Sequence, residues 1–367
     1  MTKANLYRAD ELKAHMIRVL TKVGVPEKDA LTAADVIMSA DLRGVDSHGI
    51  IRLHSYYADR IQNGQIDPLS PVKIVNETPT TLLIDGMRGL GHVVGVGAMQ
   101  RCIEKAEESG LAMVTVRNSN HYGIAGYYAM MALSHDMIGI SFTNAQPLVA
   151  PTHGRTAMLG TNPIAVAVPA GVEKPYVLDM ATSIVPIGRI TVFDKAHKEL
   201  PSGWGIDKTG QVTTDPTAVL KGGALMPLGG IDVMRGYKGY GLALLVDIFS
   251  AVLSGASYGT NVGQPSEQRG ADVGHFFAAV KIEAFRPMAE FKKDMDGLIQ
   301  MMKTAPKAVG EDRIYIHGEK EFERAEQFAD HGVPLLEEVV KMLKDGALRV
   351  GLEFNLEPIG EMEYEKS

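Results

Sequence analysis

The sequence predicts an α/β protein, of the α+β kind with a mixed sheet. Apolar runs of strand length alternate with segments of helical period through most of the 367 residues. The composition, 45% hydrophobic and 22% charged, is that of an ordinary globular chain with enough apolar surface for one large or two smaller cores. No internal repeat, biased tract or linker interrupts the alternation, so any second domain is expected to be discontinuous.

The elements run in order along the chain. Residues 8–63 read as helical. Leu12, Met16, Val19, Leu20 and Val23 recur at helical spacing, Gly24 stops that helix, and Pro26 opens the next, to about Arg43. A third helix is expected from His48 to about Ile61, closing at Gly64. "TTLLIDG" (80–86), "LAMVTVRNS" (111–119) and "DMIGISFTN" (136–144) read as strands, separated by helices over 93–110 and 122–135. The Gly-, Pro- and Thr-rich stretch 144–235 holds strands at 164–169 and 174–179, a helix near 183–195 and a turn at 207–210. A long helix at 239–254, a strand at 275–282, a helix at 288–303 and a polar helical tail complete the chain.

Charge and cysteine content exclude several classes. The net charge of −7 argues against a nucleic-acid backbone as partner. Cys102 is the only cysteine, so neither an internal disulfide nor a cysteine metal cluster can form, which fits a reducing compartment. The charged N-terminal stretch lacks the apolar core of a signal peptide. The longest apolar helical run, 241–255, is too short to span a membrane and carries Asp247. No H-E-x-x-H occurs and the histidines are scattered, so no metal site is expected. The expectation is a cytoplasmic protein without membrane or nucleic-acid partners.

Four constellations could carry chemistry, and each also has a purely structural reading. In "DSHGIIRLHSYY", Ser47 is a favoured helix N-cap type, with His48 in the first turn and Arg52 one turn on. A histidine at the positive end of a helix stays neutral and can accept a proton, and an arginine fork suits a carboxylate. That pair is what oxidation of a 2-hydroxy acid needs; the alternative is a capping serine, a core-edge histidine and a surface arginine. "RNSNHYGIAGYY" places His121 and Gly123 at a strand end before a helix, where free amides bind anions, unless Asn120 merely caps the turn. "RGLGHVVG" (88–95) resembles a loose phosphate-binding turn. Its G-x-G-x-x-x-G spacing, and the missing acidic residue after the next strand, favour close packing at a helix start. "GTNP", "DMATS" and "GYKGYG" are polar turns beside apolar elements; in them Thr182 and Ser183 could cap a helix or hold a phosphate. Lys238 sits at a helix start, against the dipole. A Ser-His hydrolase is disfavoured, because no G-x-S-x-G elbow exists and Ser47 and His48 are adjacent.

Taken together and in order, "DLRGVDSHGIIRLHSYY", "RNSNHYGIAGYY", "LGTNPIAVAVP", "LDMATS", "TTDP" and "GYKGYGLALLVDIFSAVLSGA" resemble the malate/L-lactate dehydrogenase family that lacks a Rossmann fold, over about residues 7 to 355. The resemblance implies a non-Rossmann NAD(P)-binding fold with a helical N-terminal substrate region. It implies hydride transfer between a nicotinamide cofactor, NAD or else NADP, and a 2-hydroxy acid, malate in the first instance. Lactate, sulfolactate, a cyclic imine acid or a sugar-derived 2-oxo acid are the alternatives. His48 matches the family's acid/base, with Ser47 as helper. Arg52, His121 and Lys238 match substrate-binding positions. His121, Gly123, Asn162, Pro163, Asp179, Thr182 and Ser183 match segments lining the cofactor cleft. The implied division is 1–117 with 286–367 for substrate and dimerisation, and 118–285 for NAD(P), in a homodimer with its site near the interface. The chain departs from the pattern at Ile187, where arginine is common, at "TNAQP" (143–147), and at "IHGEKE" (316–321).

Overall fold

The computed structural model describes residues 2–264, 267 and 270–364. At its centre is a seven-stranded sheet. Its spatial order is Lys73–Glu77, Thr81–Asp85, Leu111–Ser119, Val273–Lys281, Met137–Thr143, Ile164–Val168 and Tyr176–Met180. Only Thr81–Asp85 and Leu111–Ser119 run parallel, joined by the crossover helix Gly91–Ser109; every other pair is antiparallel. The mixed α/β expectation therefore holds. The late strand Val273–Lys281 inserts between two early ones, and its residues are almost all buried because both sheet faces are covered.

Alternation along these strands separates two layers. Val114, Val116, Ala165, Phe277 and Ala279 pack with Val94, Ala98, Met99 and Cys102 of the crossover helix and with Tyr128 and Ala129 of helix Ala125–Met131. On the other face Phe142 and Phe276 meet Phe249, with ring centroids 5.0 to 6.4 Å apart. Phe249 lies in a π-helical turn, Ile248–Val252, that continues helix Tyr237–Asp247.

A second core joins the two ends of the chain. Leu12, Met16, Val19 and Leu20, one stripe of helix Ala9–Lys22, pack with Ala30, Ala33, Ala34 and Ile37 of helix Glu27–Leu42. Leu343 and Ala347 of the helix Glu337–Arg349 close it from the other end of the chain. There Thr2–Tyr7 pairs antiparallel with Val333–Leu336 on one side and Gly360–Tyr364 on the other. A small third core gathers Val149, Ile190, Leu200, Val219 and Leu225 around a short sheet of three two-residue strands.

The expected strands fall within two residues of the observed ones. The sequence pattern offers no counterpart for Lys73–Glu77, whose five residues are all exposed and so show no alternation. It also lacks the terminal three-stranded sheet, whose pairing joins residues more than three hundred apart. The helix expected over His48–Ile61 is broken. Asp46–His48 and Ile50–Arg52 are single 3-10 turns, Leu53–Ala58 is a π-helical turn, and only Asp59–Gln62 is α-helical. No described helix is long and apolar enough to cross a membrane.

Candidate active site

The turn carrying His48 is fixed from behind. Asp41, buried near the end of the second helix, accepts the Ile50 N–H at 2.7 Å, and its carboxylate fills the space a Cβ on Gly49 would need. Burial pushes the Asp41 carboxyl well above the usual range. Ser47 makes no capping bond; its Oγ meets His48 Nδ1 at 2.9 Å. Adjacent side chains thus do face each other here, because this is a 3-10 turn and not the start of a long helix. The neutrality expected of His48 holds for a different reason. Its pKa is pushed down to about 4 by burial first and by Arg52 second. Arg52 donates from Nε to the Ser47 carbonyl at 2.7 Å and lays its guanidinium over Tyr56, 4.6 Å from the ring centroid.

His121 arrives from the end of strand Leu111–Ser119. Asn120 caps nothing. Its Nδ2 donates to the carbonyls of Arg88 (3.0 Å) and Gly89 (2.9 Å), tying His121 to the "RGLGHVVG" loop. A Cβ at Gly91 would collide with the backbone of Asn120 and His121, so that glycine serves close packing, as its spacing predicts. The rings of His48 and His121 lie nearly parallel, 22° apart, with centroids 5.4 Å apart. The Gly123 N–H donates to His121 Nδ1 at 3.3 Å, and the Tyr57 hydroxyl lies 2.8 Å from the same atom. With Nδ1 accepting, the proton of the neutral ring sits on Nε2. Burial first, then His48 and Arg52, hold the His121 pKa well below the ordinary value.

Between these rings and the sheet lies a cleft enclosing about 80 Å³. Of the candidate site residues, His48, His121, Gly123 and Pro163 line it, together with Tyr56 and Arg60, which are not among those candidates. Arg52 and Lys238 are not among its lining residues. Lys238 is exposed in the first turn of helix Tyr237–Asp247. Asn162, Thr182, Ser183 and Asp179 spend their side chains on backbone. Asn162 accepts from Ala145 N–H at 3.2 Å and donates to Ala243 O at 3.0 Å. Thr182 donates to the carbonyls of Thr161 and Asn162, and Ser183 to that of Val185. Asp179 accepts the Gly126 N–H at 2.7 Å. These residues shape the cleft's loops.

The residues missed are Tyr56, Tyr57 and Arg60, together with the buried His92 and His275. His92 sits edge-on to Tyr57 with centroids 4.5 Å apart, and His275 stacks on Tyr122 at 4.5 Å. One signal was available: Tyr56 and Tyr57 precede Arg60 by four and three residues, the spacing of neighbours on a helix.

A sequence model of the family described as malate/L-lactate dehydrogenase matches residues 7–344. The chain belongs to this family. It is 48% identical over 345 residues to a malate dehydrogenase of Pyrococcus horikoshii, covering 94% of this chain and 95% of that one. It is 40% identical over 348 residues to an L-sulfolactate dehydrogenase of Methanocaldococcus jannaschii, covering 95% and 98%. The crystal structure of a malate dehydrogenase from Entamoeba histolytica superposes with a TM-score of 0.91 at 38% identity, over 96% and 100% of the two chains. Membership makes this protein a 2-hydroxy acid dehydrogenase with a nicotinamide cofactor, and the cleft suits that group. Gln146, lining it, carries a carboxamide that can both donate to and accept from the carboxamide of a nicotinamide.

Proposed function

We propose that the protein interconverts malate and oxaloacetate with NAD. The observation that supports this most is the pair of neutral imidazoles, His48 and His121, facing one cleft in a chain so similar to malate dehydrogenases. When bound, the cofactor supplies the acceptor for the substrate's C2 hydride. The protein supplies the proton chemistry. With Nδ1–H of His48 donating to Ser47 Oγ, Nε2 keeps its lone pair and takes the substrate hydroxyl proton; in reduction it returns that proton. His121, fixed as an Nε2–H donor, stabilises the negative charge that develops on the substrate oxygen. Arg52, the cation nearest His48 along the chain, is the proposed partner of the carboxylate beside the reacting carbon. Gly123, Gln146, Thr161 and Pro163 would hold the nicotinamide end, while Asn162, Asp179, Thr182 and Ser183 keep its walls in place.

Residues 118–285 then carry the cofactor, and 1–117 with 286–367 the substrate side. We further propose a homodimer. Leu244, Leu245, Ile248, Val252, Leu253 and Tyr258 expose an apolar face, on the cofactor part rather than the other, and Lys238 starts the same helix. Lys238 would act from that interface. The buried, unpaired Cys102 accords with a cytoplasmic setting.

Loss of NADH or NADPH absorbance with oxaloacetate, sulfopyruvate and pyruvate tests the reading. Turnover of oxaloacetate with NADH is expected. The similarity to an L-sulfolactate dehydrogenase makes sulfopyruvate the second substrate to offer. Turnover of sulfopyruvate without oxaloacetate would replace the first reading by the second.

A further inference from the structure

We propose that Arg60 is the specificity residue of this cleft, holding the anionic group of the substrate remote from the reacting carbon. This rests on the reading of the protein as a malate-type dehydrogenase. Arg60 is 4% exposed, yet it lines the cleft that holds His48 and His121. It makes no ion pair among the described residues, and its Nε and Nη2 are sealed from water without an acceptor. Its nearest electrostatic neighbours are tyrosines: the guanidinium lies 5.7 Å from the Tyr56 centroid, and Tyr57 is the other. Desolvation of a cation with no counter-charge is unfavourable, so an anion arriving in the cleft gains more here than at an exposed arginine.

Arg52 and Arg60 both lie against the Tyr56 ring, at 4.6 and 5.7 Å. Arg52 is tied to the Ser47 carbonyl, next to His48, and so belongs to the reacting end. Arg60 lies two turns further along the same segment. A substrate with a second carboxylate, or a sulfonate in its place, engages both; a monocarboxylate engages one. The planar fork of an arginine suits either group.

The test is the ratio of kcat/KM for oxaloacetate over pyruvate in wild type, Arg60→Met and Arg60→Lys. Loss of a charge-assisted contact predicts a fall in that ratio of about ten- to a hundredfold for Arg60→Met. Arg60→Lys, which keeps the charge without the fork, should fall between. An unchanged ratio with both substrates impaired equally would place Arg60 on the carboxylate beside the reacting carbon and overturn the assignment. An unchanged ratio with neither impaired would remove it from the site. Thermal unfolding gives a readout that separates failure of this proposal from failure of the parent reading. Arg60→Met, relieved of an unpaired buried charge, should melt above wild type, and malonate should raise the melting temperature of wild type but not of the variant. A variant that melts lower, with malonate acting on both alike, would make Arg60 a structural residue whatever the enzyme's substrate.

Discussion

His15→Leu should make the protein less sensitive to acid without touching the cleft. His15 is fully buried in the core that joins the chain ends, with Nε2 lacking any partner. Its surroundings are the edge of Phe354 at 4.9 Å, the ring of His54 at 6.4 Å and Arg18 Nη2 at 3.5 Å. Burial first, then Arg18 and His54, push its pKa from 6.5 down to about 4. The unfolded chain binds a proton at this residue below 6.5, while the folded chain refuses it until about 4. Stability from the neutral ring is therefore complete above pH 6.5 and is lost as pH falls through that window. The slope is about 1.4 kcal/mol per pH unit, and the whole gap amounts to about 3 kcal/mol. His48 and His54, at about 4, and His92 and His275, at about 3, are depressed mainly by burial in the same direction. Asp41, Asp179 and Asp247, raised mainly by burial, act in the opposite sense. Leucine keeps the apolar volume and removes one titrating group. Urea unfolding at a series of pH values from neutral to mildly acid measures the effect. Wild type and variant should agree within about 1 kcal/mol at neutral pH and diverge by about 1.4 kcal/mol for each pH unit below 6.5. Parallel curves would refute the reasoning, because His15 would then titrate alike in both states.

Three further outcomes are expected. His48→Ala should lower kcat by about a hundred- to ten-thousandfold while NADH binding, monitored by its fluorescence, persists; near-normal turnover would dismiss His48 as the base. Tyr57→Phe should lower kcat by about tenfold with little change in KM, since His121 keeps only the Gly123 N–H to hold its tautomer; equal kcat would make the Tyr57 hydroxyl a packing detail. Val252→Glu, on the exposed apolar face, should convert a dimer into a monomer by light scattering, and a dimer that survives it would move the interface elsewhere.

The parts of the site legible in sequence were those whose chemistry is local. A histidine beside a serine, and another two residues before a glycine at a strand end, announce themselves, and both reach the cleft. Tyr57 and Arg60 share a helical spacing, but which way that face points depends on the π-helical turn Leu53–Ala58, which the sequence pattern does not show. Polarity leaves Thr182 and Ser183 open as helix caps or phosphate contacts, and the family resemblance alone puts Asn162 at the cofactor cleft. Whether a hydroxyl or amide is free depends on which carbonyl lies within reach; here the helix carbonyl of Ala243 takes Asn162, and loop carbonyls take Thr182 and Ser183. The strands were legible where one face is buried. They were not at the sheet edge, where Lys73–Glu77 exposes both faces.

The site's electrostatics tie its two halves together. A base whose pKa is about 4 is a weak proton acceptor, and His48 has that value because it is buried beside Arg52. A substrate carboxylate set near Arg52 neutralises the second cause and adds an opposite charge close to the ring, so the imidazolium becomes easier to form. The base therefore strengthens only when substrate is in place. In the oxidation direction, the acid limb of kcat/KM reports free enzyme and should lie at about 4, below the limb of kcat, which reports the ternary complex. Brief assays started by a pH jump keep acid unfolding from obscuring either limb. Arg52→Gln should raise the kcat/KM limb, since the cation that helps depress His48 is gone, and draw the two limbs together. Limbs that coincide in wild type, or that keep their separation in the variant, would mean that substrate charge does not act on His48.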